Sequence, residues 1–194
     1  MNLENKLDCT EFNEKKEVLY FGLAESLGVL KKIGEEYKIE AIFSFSQGSL
    51  MSIFLNILIE SEKEYKEIFK DLKCLILCSG FLDPYPKNKE ILAQKEIIQG
   101  LLFKEKQIKT NQDDNFLKNK NHIDNDNLPI IKIPLMNVYG EEDDIIPKEK
   151  SKNIENLFKY VQSFNHPGKH FIPSAKGDIE KYILFLNEHL KNGN

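Results

Sequence analysis

The sequence predicts an α/β fold, a mostly parallel sheet with helices on both faces. Three observations carry that expectation. Short apolar runs alternate along the chain with longer segments whose apolar residues recur every three or four positions. One run, residues 72–79, is apolar almost without interruption, as parallel strands covered on both faces are. In the stretch 41–51, an apolar run ends in small polar residues around Ser46, and apolar residues then resume with helical spacing. That is the pattern of a buried strand turning sharply into a helix.

Residues 1–17 are polar and mixed in charge, with no period. From 19 to 37, Leu23, Leu27, Leu30 and Ile33 share one helical face, with Gly34 in the last turn. Residues 39–45 form a strand whose one charged residue, Glu40, lies near its start. Residues 47–61 form a helix with Leu50, Phe54 and Leu58 on an apolar face wide enough to require burial against a sheet. The strand 72–79 ends at Gly80, and Asp83-Pro84-Tyr85-Pro86 marks a loop. Ile91, Leu92, Ile98, Leu101 and Leu102 place a helix over 88–104, its stripe interrupted by Gln94 and Lys95. The segment 105–128 is rich in Asn, Asp and Lys and too poor in apolar residues to offset its ordering entropy, so it is expected to be a mobile polar insertion. A strand at 130–139 tolerates Pro134 near its start. A helix at 149–159 turns Ile154, Leu157 and Phe158 inward, a short strand spans 160–164, and an amphipathic helix at 179–190 closes the chain.

At 194 residues the chain is expected to be a single domain, 1–194, with a real hydrophobic core. Its net charge of −4 offers no basic field for a nucleic-acid backbone. No apolar stretch approaches the roughly 18 residues of a membrane span. The three cysteines, Cys9, Cys74 and Cys78, are odd in number and lack metal-ligand spacing. Cys74 and Cys78 sit inside an apolar run, where a free thiol behaves as a small hydrophobe. A reduced, cytoplasmic protein is the simplest reading. No metal cluster or phosphate-cradling glycine loop is visible, so no cofactor is expected.

In parallel sheets the ligand site lies beyond the carboxyl ends of the strands. Three chemically loaded loops fall there: the Ser46 corner, Gly140-Glu141-Glu142-Asp143-Asp144, and His166-Pro167-Gly168-Lys169-His170. Their chain order is serine, acid, histidine. A strand-to-helix corner of pattern G-x-S-x-G, followed in that order by acid and histidine, marks the nucleophile elbow of α/β-hydrolases. Here Ser44 replaces the first glycine and Gly48 supplies the second.

The chain resembles the FSH-type serine hydrolases, a branch of the α/β-hydrolases. The matching blocks are Tyr20-Phe21-Gly22-Leu23-Ala24-Glu25-Ser26-Leu27, Phe45-Ser46-Gln47-Gly48, Ser79-Gly80-Phe81, Pro134 with the following run Tyr139 to Pro147, and His166 to Pro173. The resemblance implies Ser46 as nucleophile, Asp143 as acid and His170 as base, with no metal and no cofactor. A serine hydroxyl attacks poorly until an imidazole takes its proton, and the imidazole needs a carboxylate to hold its tautomer. The family's acid ends Gly-x-x-Asp, which selects Asp143 over Asp144. Its base is the second histidine of His-x-Gly-Gly-His, which selects His170 and leaves His166 to order the loop. His122 and His189 read as surface residues, and Ser44 and Ser49 as small residues packed in the corner. The backbone N–H of Gln47, the residue after the nucleophile, is the implied oxyanion donor.

The chain departs from the family at Ser44 and at Lys169, each in place of a glycine. It also lacks, in residues 1–18, the strand ending in Leu-His-Gly that supplies the second oxyanion donor, so the expected fold is α/β-hydrolase-like but N-terminally incomplete. Either the chain is truncated or it is divergent with weakened catalysis. Losing one such donor typically costs about 10²–10³-fold in rate. The implied function is hydrolysis of small-molecule carboxylic esters or thioesters through an acyl-enzyme; the alternative is a hydrolase-like protein that binds without turnover. The unpaired edge of the strand 39–45 would also offer a route to self-association.

Overall fold

The computed structural model describes residues 10–12, 18–20, 23–82 and 130–191. The expected loop at Asp83–Pro86, the helix at 88–104, the insertion at 105–128 with His122, and Cys9 lie outside the described residues. In chain order the elements are β1 (Thr10–Phe12), β2 (Val18–Tyr20), α1 (Leu23–Glu36), β3 (Ala41–Phe45), α2 (Gln47–Ser61), α3 (Lys63–Ile68), β4 (Cys74–Cys78) and β5 (Leu135–Gly140). They continue with α4 (Lys148–Asn153), a 3₁₀ turn (Ile154–Leu157), β6 (Val161–His166) and α5 (Lys176–Leu190). Strands β3, β4, β5 and β6 form one sheet in that order, every pair parallel.

Parallel pairing demands apolar cover on both faces, and strand β4 shows how the sequence provides it. All five of its residues are buried. Leu75 and Leu77 face a core shared with Leu23 and Leu27 of α1, Ile53, Leu55 and Ile57 of α2, and Tyr65 of α3. The alternate residues Cys74, Ile76 and Cys78 face the opposite way, against Tyr182 and Phe185 of α5. Burying one such Leu or Ile contributes about 1.5–3 kcal/mol. Helix α2 lies deep between the sheet and α1, with buried residues from Ser49 to Ile59 around its surface. The wide apolar face read from the sequence has this burial as its cause.

Several boundaries move from their sequence expectations. Leu19 and Tyr20, expected to begin a helix, belong to strand β2, and α1 starts at Leu23. The stretch read as patternless contains β1, which pairs antiparallel with β2 in a separate two-stranded sheet. Strands of three residues are too short to display an alternation, so periodicity could not find them. The same reason hides the six-residue α3. Strand β5 begins immediately after Pro134, whose missing N–H cannot join a ladder, although its carbonyl accepts from Leu75 at 2.9 Å. Upstream, Ile131 bridges Phe158 in isolation. The expected helix at 149–159 is a short α-helix that tightens into the 3₁₀ turn, and the following strand runs on to His166. Among the described residues β3 pairs with β4 alone and so forms one edge of the sheet.

Gly34 lies in the last turn of α1, as expected, and it is a glycine for a steric reason: a Cβ there would lie 2.6 Å from the Phe69 ring and 2.7 Å from Ile68 Cγ2. Gly28, on the same helix, has nothing within 4 Å of its would-be Cβ. Replacing both by alanine in separate variants should therefore move stability in opposite directions. Urea unfolding should show Gly28→Ala more stable by about 0.5–1 kcal/mol, since it gains helix propensity without a clash. Gly34→Ala should be less stable by about 1–3 kcal/mol, the usual cost of overpacking a core.

Candidate active site

The corner between β3 and α2 holds Ser46 at φ 52° and ψ −119°. A side chain in such a conformation costs about 1–3 kcal/mol. That cost is comparable to the burial of one apolar side chain, and α2 alone brings Ile53 and Ile57 to at most 1% exposure. Hydrogen bonds set the turn: the Ser46 N–H donates to the Cys78 carbonyl at 2.8 Å, and the Ser46 carbonyl accepts from Ser49 at 2.9 Å and Leu50 at 3.2 Å. The serine side chain is thereby pushed out of the sheet at its carboxyl end.

Ser44, where a glycine was expected, fits without crowding. Its Cβ lies 3.7 Å from the position a Cβ would take on Gly48. Its hydroxyl lies 3.3 Å from Ser49 Oγ and 3.1 Å from Ser52 Oγ. Ser49 in turn donates to the Cys78 carbonyl at 3.0 Å. A small network of hydroxyls beneath the corner absorbs the extra side chain.

Asp143, in the turn after β5, is 6% exposed. Its Oδ1 accepts from the Ile145 N–H at 3.0 Å and the Ile146 N–H at 2.8 Å. Its Oδ2 faces Ser79 Oγ at 3.0 Å and His170 Nδ1 at 2.8 Å. Burial works against ionisation, but the Ile146 N–H, His170 and the Ser79 hydroxyl outweigh it and hold the carboxyl below its ordinary range. A carboxylate can only accept, so Nδ1 of His170 carries a proton, and in the neutral ring it is then Nε2 that has the lone pair. Nε2 lies 3.0 Å from Ser46 Oγ. The Phe45 ring, 4.8 Å from the imidazole centre, supports its flank. Ser46, His170 and Asp143 thus form a continuous hydrogen-bonded chain, in which the hydroxyl proton has a basic nitrogen to go to and the resulting imidazolium has a buried anion beside it.

The loops carrying Asp143 and His170 are tied together. The Glu141 N–H donates to the His166 carbonyl at 2.8 Å, and the Glu142 N–H to the Gly168 carbonyl at 3.1 Å. Gly140 is required by this close approach, because a Cβ there would overlap the carbonyl oxygens of Gly168 and Lys169. His166 is buried and accepts from the Gly168 N–H at 3.2 Å, so it orders the loop. Burial pushes its pKa down, which keeps it neutral. Asp144 and Lys169 are both exposed and pair with each other at 3.2 Å, so the lysine replacing a glycine beside His170 points its charge to the surface. His189 packs on Phe185, with ring centres 4.5 Å apart. Gln47 is the first residue of α2, directly after Ser46. Sequence reasoning assigned no role to Ser79, although a small polar residue before Gly80 at the end of a buried strand was a signal for a turn. Among the described residues no cluster of three or more His, Cys, Asp or Glu could hold a metal ion. Among the same residues no helix is long and apolar enough to cross a membrane.

The sequence profile of the family described as Serine hydrolase (FSH1) matches residues 6–182. An esterase of Aedes aegypti is 39% identical over 61 residues, which are 31% of this chain and 22% of that protein. The esterase OVCA2 of Danio rerio is 40% identical over 58 residues, 30% of this chain and 26% of that protein. The chain therefore aligns with about a quarter of the length of these curated relatives. Among solved structures, Zea mays acyl-protein thioesterase 2 superposes with a TM-score of 0.51 at 12% identity, covering 92% of this chain and 69% of that one. That likeness is one of fold, an α/β-hydrolase sheet.

The lowered pKa of Asp143 makes stability depend on pH with a definite sign. Its unfolded form takes up a proton near the ordinary value of 3.8, before the folded form does. The stability it contributes is complete above that value and is lost as pH falls through the lower folded value. Urea unfolding measured from about pH 6 down to about pH 2 should show this acid loss in the wild type and a shallower one in Asp143→Asn.

Proposed function

Because the chain belongs to the Serine hydrolase (FSH1) family, we propose that it hydrolyses carboxylic esters, thioesters among them, through an acyl-enzyme on Ser46. The observation that carries this reading is the unbroken chain of contacts from Asp143 Oδ2 to His170 Nδ1 at 2.8 Å and from His170 Nε2 to Ser46 Oγ at 3.0 Å. His170 takes the hydroxyl proton as Oγ attacks the substrate carbonyl, and Asp143 stabilises the imidazolium. The negative oxygen of the tetrahedral intermediate is met by the backbone N–H of Gln47. Collapse of the intermediate breaks the ester bond, and His170 returns the proton to the departing alcohol or thiol. Water then attacks the acyl-serine, His170 again taking its proton, and releases the carboxylic acid and the free serine. The substrate is a small molecule. Cys74 and Cys78 as free, buried thiols suit a reducing compartment such as the cytoplasm.

A fluorophosphonate probe tests the nucleophile. It should label Ser46 in the wild type and leave Ser46→Ala unlabelled; equal labelling of both would sink the assignment. Hydrolysis of p-nitrophenyl esters should fall by about 10⁴-fold or more in His170→Ala. A folded wild-type chain that hydrolyses neither short nor long esters, yet binds a ligand stoichiometrically, would favour a binding protein instead.

A further inference from the structure

Two serines are the only non-glycine residues at positive φ among the described residues: Ser46 at 52° and Ser79 at 46°. Their placement is related. Phe45 and Cys78 are paired in the β3–β4 register, so each serine is the first residue beyond the same rung at the carboxyl end of adjacent strands. The Ser46 N–H donates to the Cys78 carbonyl, and the Ser79 N–H to the Val138 carbonyl of β5, both at 2.8 Å. Each chain therefore leaves the sheet directly after a ladder bond, by a left-handed turn.

At Ser46 the strain has a reason, the presentation of the hydroxyl. At Ser79 the turn itself does not require a side chain, because glycine adopts this conformation without steric cost. The glycine that follows does not relieve it, since Gly80 has a separate constraint: its would-be Cβ lies 3.0 Å from Ile154 Cδ1 and 3.2 Å from Ser49 Cβ. What the side chain of Ser79 adds is one hydroxyl, 1% exposed, 3.0 Å from Asp143 Oδ2. That is the same oxygen that faces His170 Nδ1. Two backbone N–H groups already hold Oδ1. With Ser79, both oxygens have two partners, and the plane of the carboxylate is fixed relative to the imidazole.

We propose that Ser79 is a positioning residue for the reaction, its hydroxyl locking the Asp143 carboxylate in the orientation that aims His170 at Ser46. The proposal rests on reading Ser46, His170 and Asp143 as the reacting chain of groups. It explains why a strained serine stands where a glycine would turn more easily. The second strained turn of the sheet thereby serves the carboxylate as the first serves the nucleophile.

The test compares Ser79→Gly and Ser79→Ala with the wild type, using a p-nitrophenyl ester and Ser46→Ala as the reference. Both Ser79 variants lack the hydroxyl, but only alanine retains the backbone strain. The expected result is the same fall in kcat for both, about 10- to 100-fold, with KM within about threefold of wild type, since a hydrogen bond to a buried charge is lost and substrate binding is not. The low-field proton resonance of His170 Nδ1–H should also shift in both. Wild-type kcat in Ser79→Gly would overturn the proposal, as would a rise in KM at unchanged kcat. Should Ser79→Ala fail to fold, Ser79→Gly decides alone, and failure of that strain-free variant to fold would mark the hydroxyl as purely structural and overturn the proposal as well. Hydrolysis that persists in Ser46→Ala, or is absent from the wild type, defeats the underlying reading, an outcome separate from the Ser79 comparison.

Discussion

The hydrogen bond from the Ser46 N–H to the Cys78 carbonyl pins the strained corner between β3 and α2 to a strand whose every residue is buried. A positive φ at a serine persists only where its surroundings over-determine it. Here the surroundings are strand β4, with every residue inaccessible, and helix α2, whose buried residues extend almost along its length. Without that rung, Ser46 would have no reason to leave the sheet where it does, and the hydroxyl would not meet Nε2 of His170. The packing of α2 on the sheet is in this sense part of the site, because it supplies the free energy that the strained corner consumes.

The second half of the site depends on a different constraint, the closeness of two loops. Gly140 lets the turn after β5 approach the turn after β6, and backbone hydrogen bonds from Glu141 and Glu142 hold them in register. Burial of His166, kept neutral by its surroundings, stiffens the same loop from within. Asp143 is then enclosed with four hydrogen-bonding partners, so a buried negative charge is met on both oxygens and remains ionised. Its neighbour Asp144 faces outward to Lys169, and one residue along the chain separates a buried carboxylate from a solvated one.

Periodicity and the resemblance reached most of this arrangement. The run at 72–79, the helix from Gln47 to Ser61 and the closing amphipathic helix carry their burial in their residue patterns, because apolar spacing directly reflects which face is covered. The serine, acid and histidine were legible as chemically loaded loops at strand ends, and the family pattern chose among the two adjacent aspartates and the two histidines. Short elements escaped for a physical reason. Three residues in β1 or β2 and six in α3 do not complete enough of a period to differ from noise; β1 and β2 form by pairing with each other, and α3 by burying Tyr65 in the core.

The amino-acid sequence by itself determined the alternation of strands and helices, the apolar cover on each face, and the order of the three loops, since all of these follow from local spacing and residue type. Only the tertiary structure decided that Ser44 could replace a glycine, because Ser49 and Ser52 surround its hydroxyl. It likewise decided that Gly34 stands against the Phe69 ring, and that Lys169 pairs outward. The role of Ser79 belongs to the same class: the hydroxyl and the Asp143 oxygen are separated by 64 residues in the chain and by 3.0 Å in space. A contact of that kind leaves no trace in periodicity, because it exists only once β4 and β5 are paired side by side.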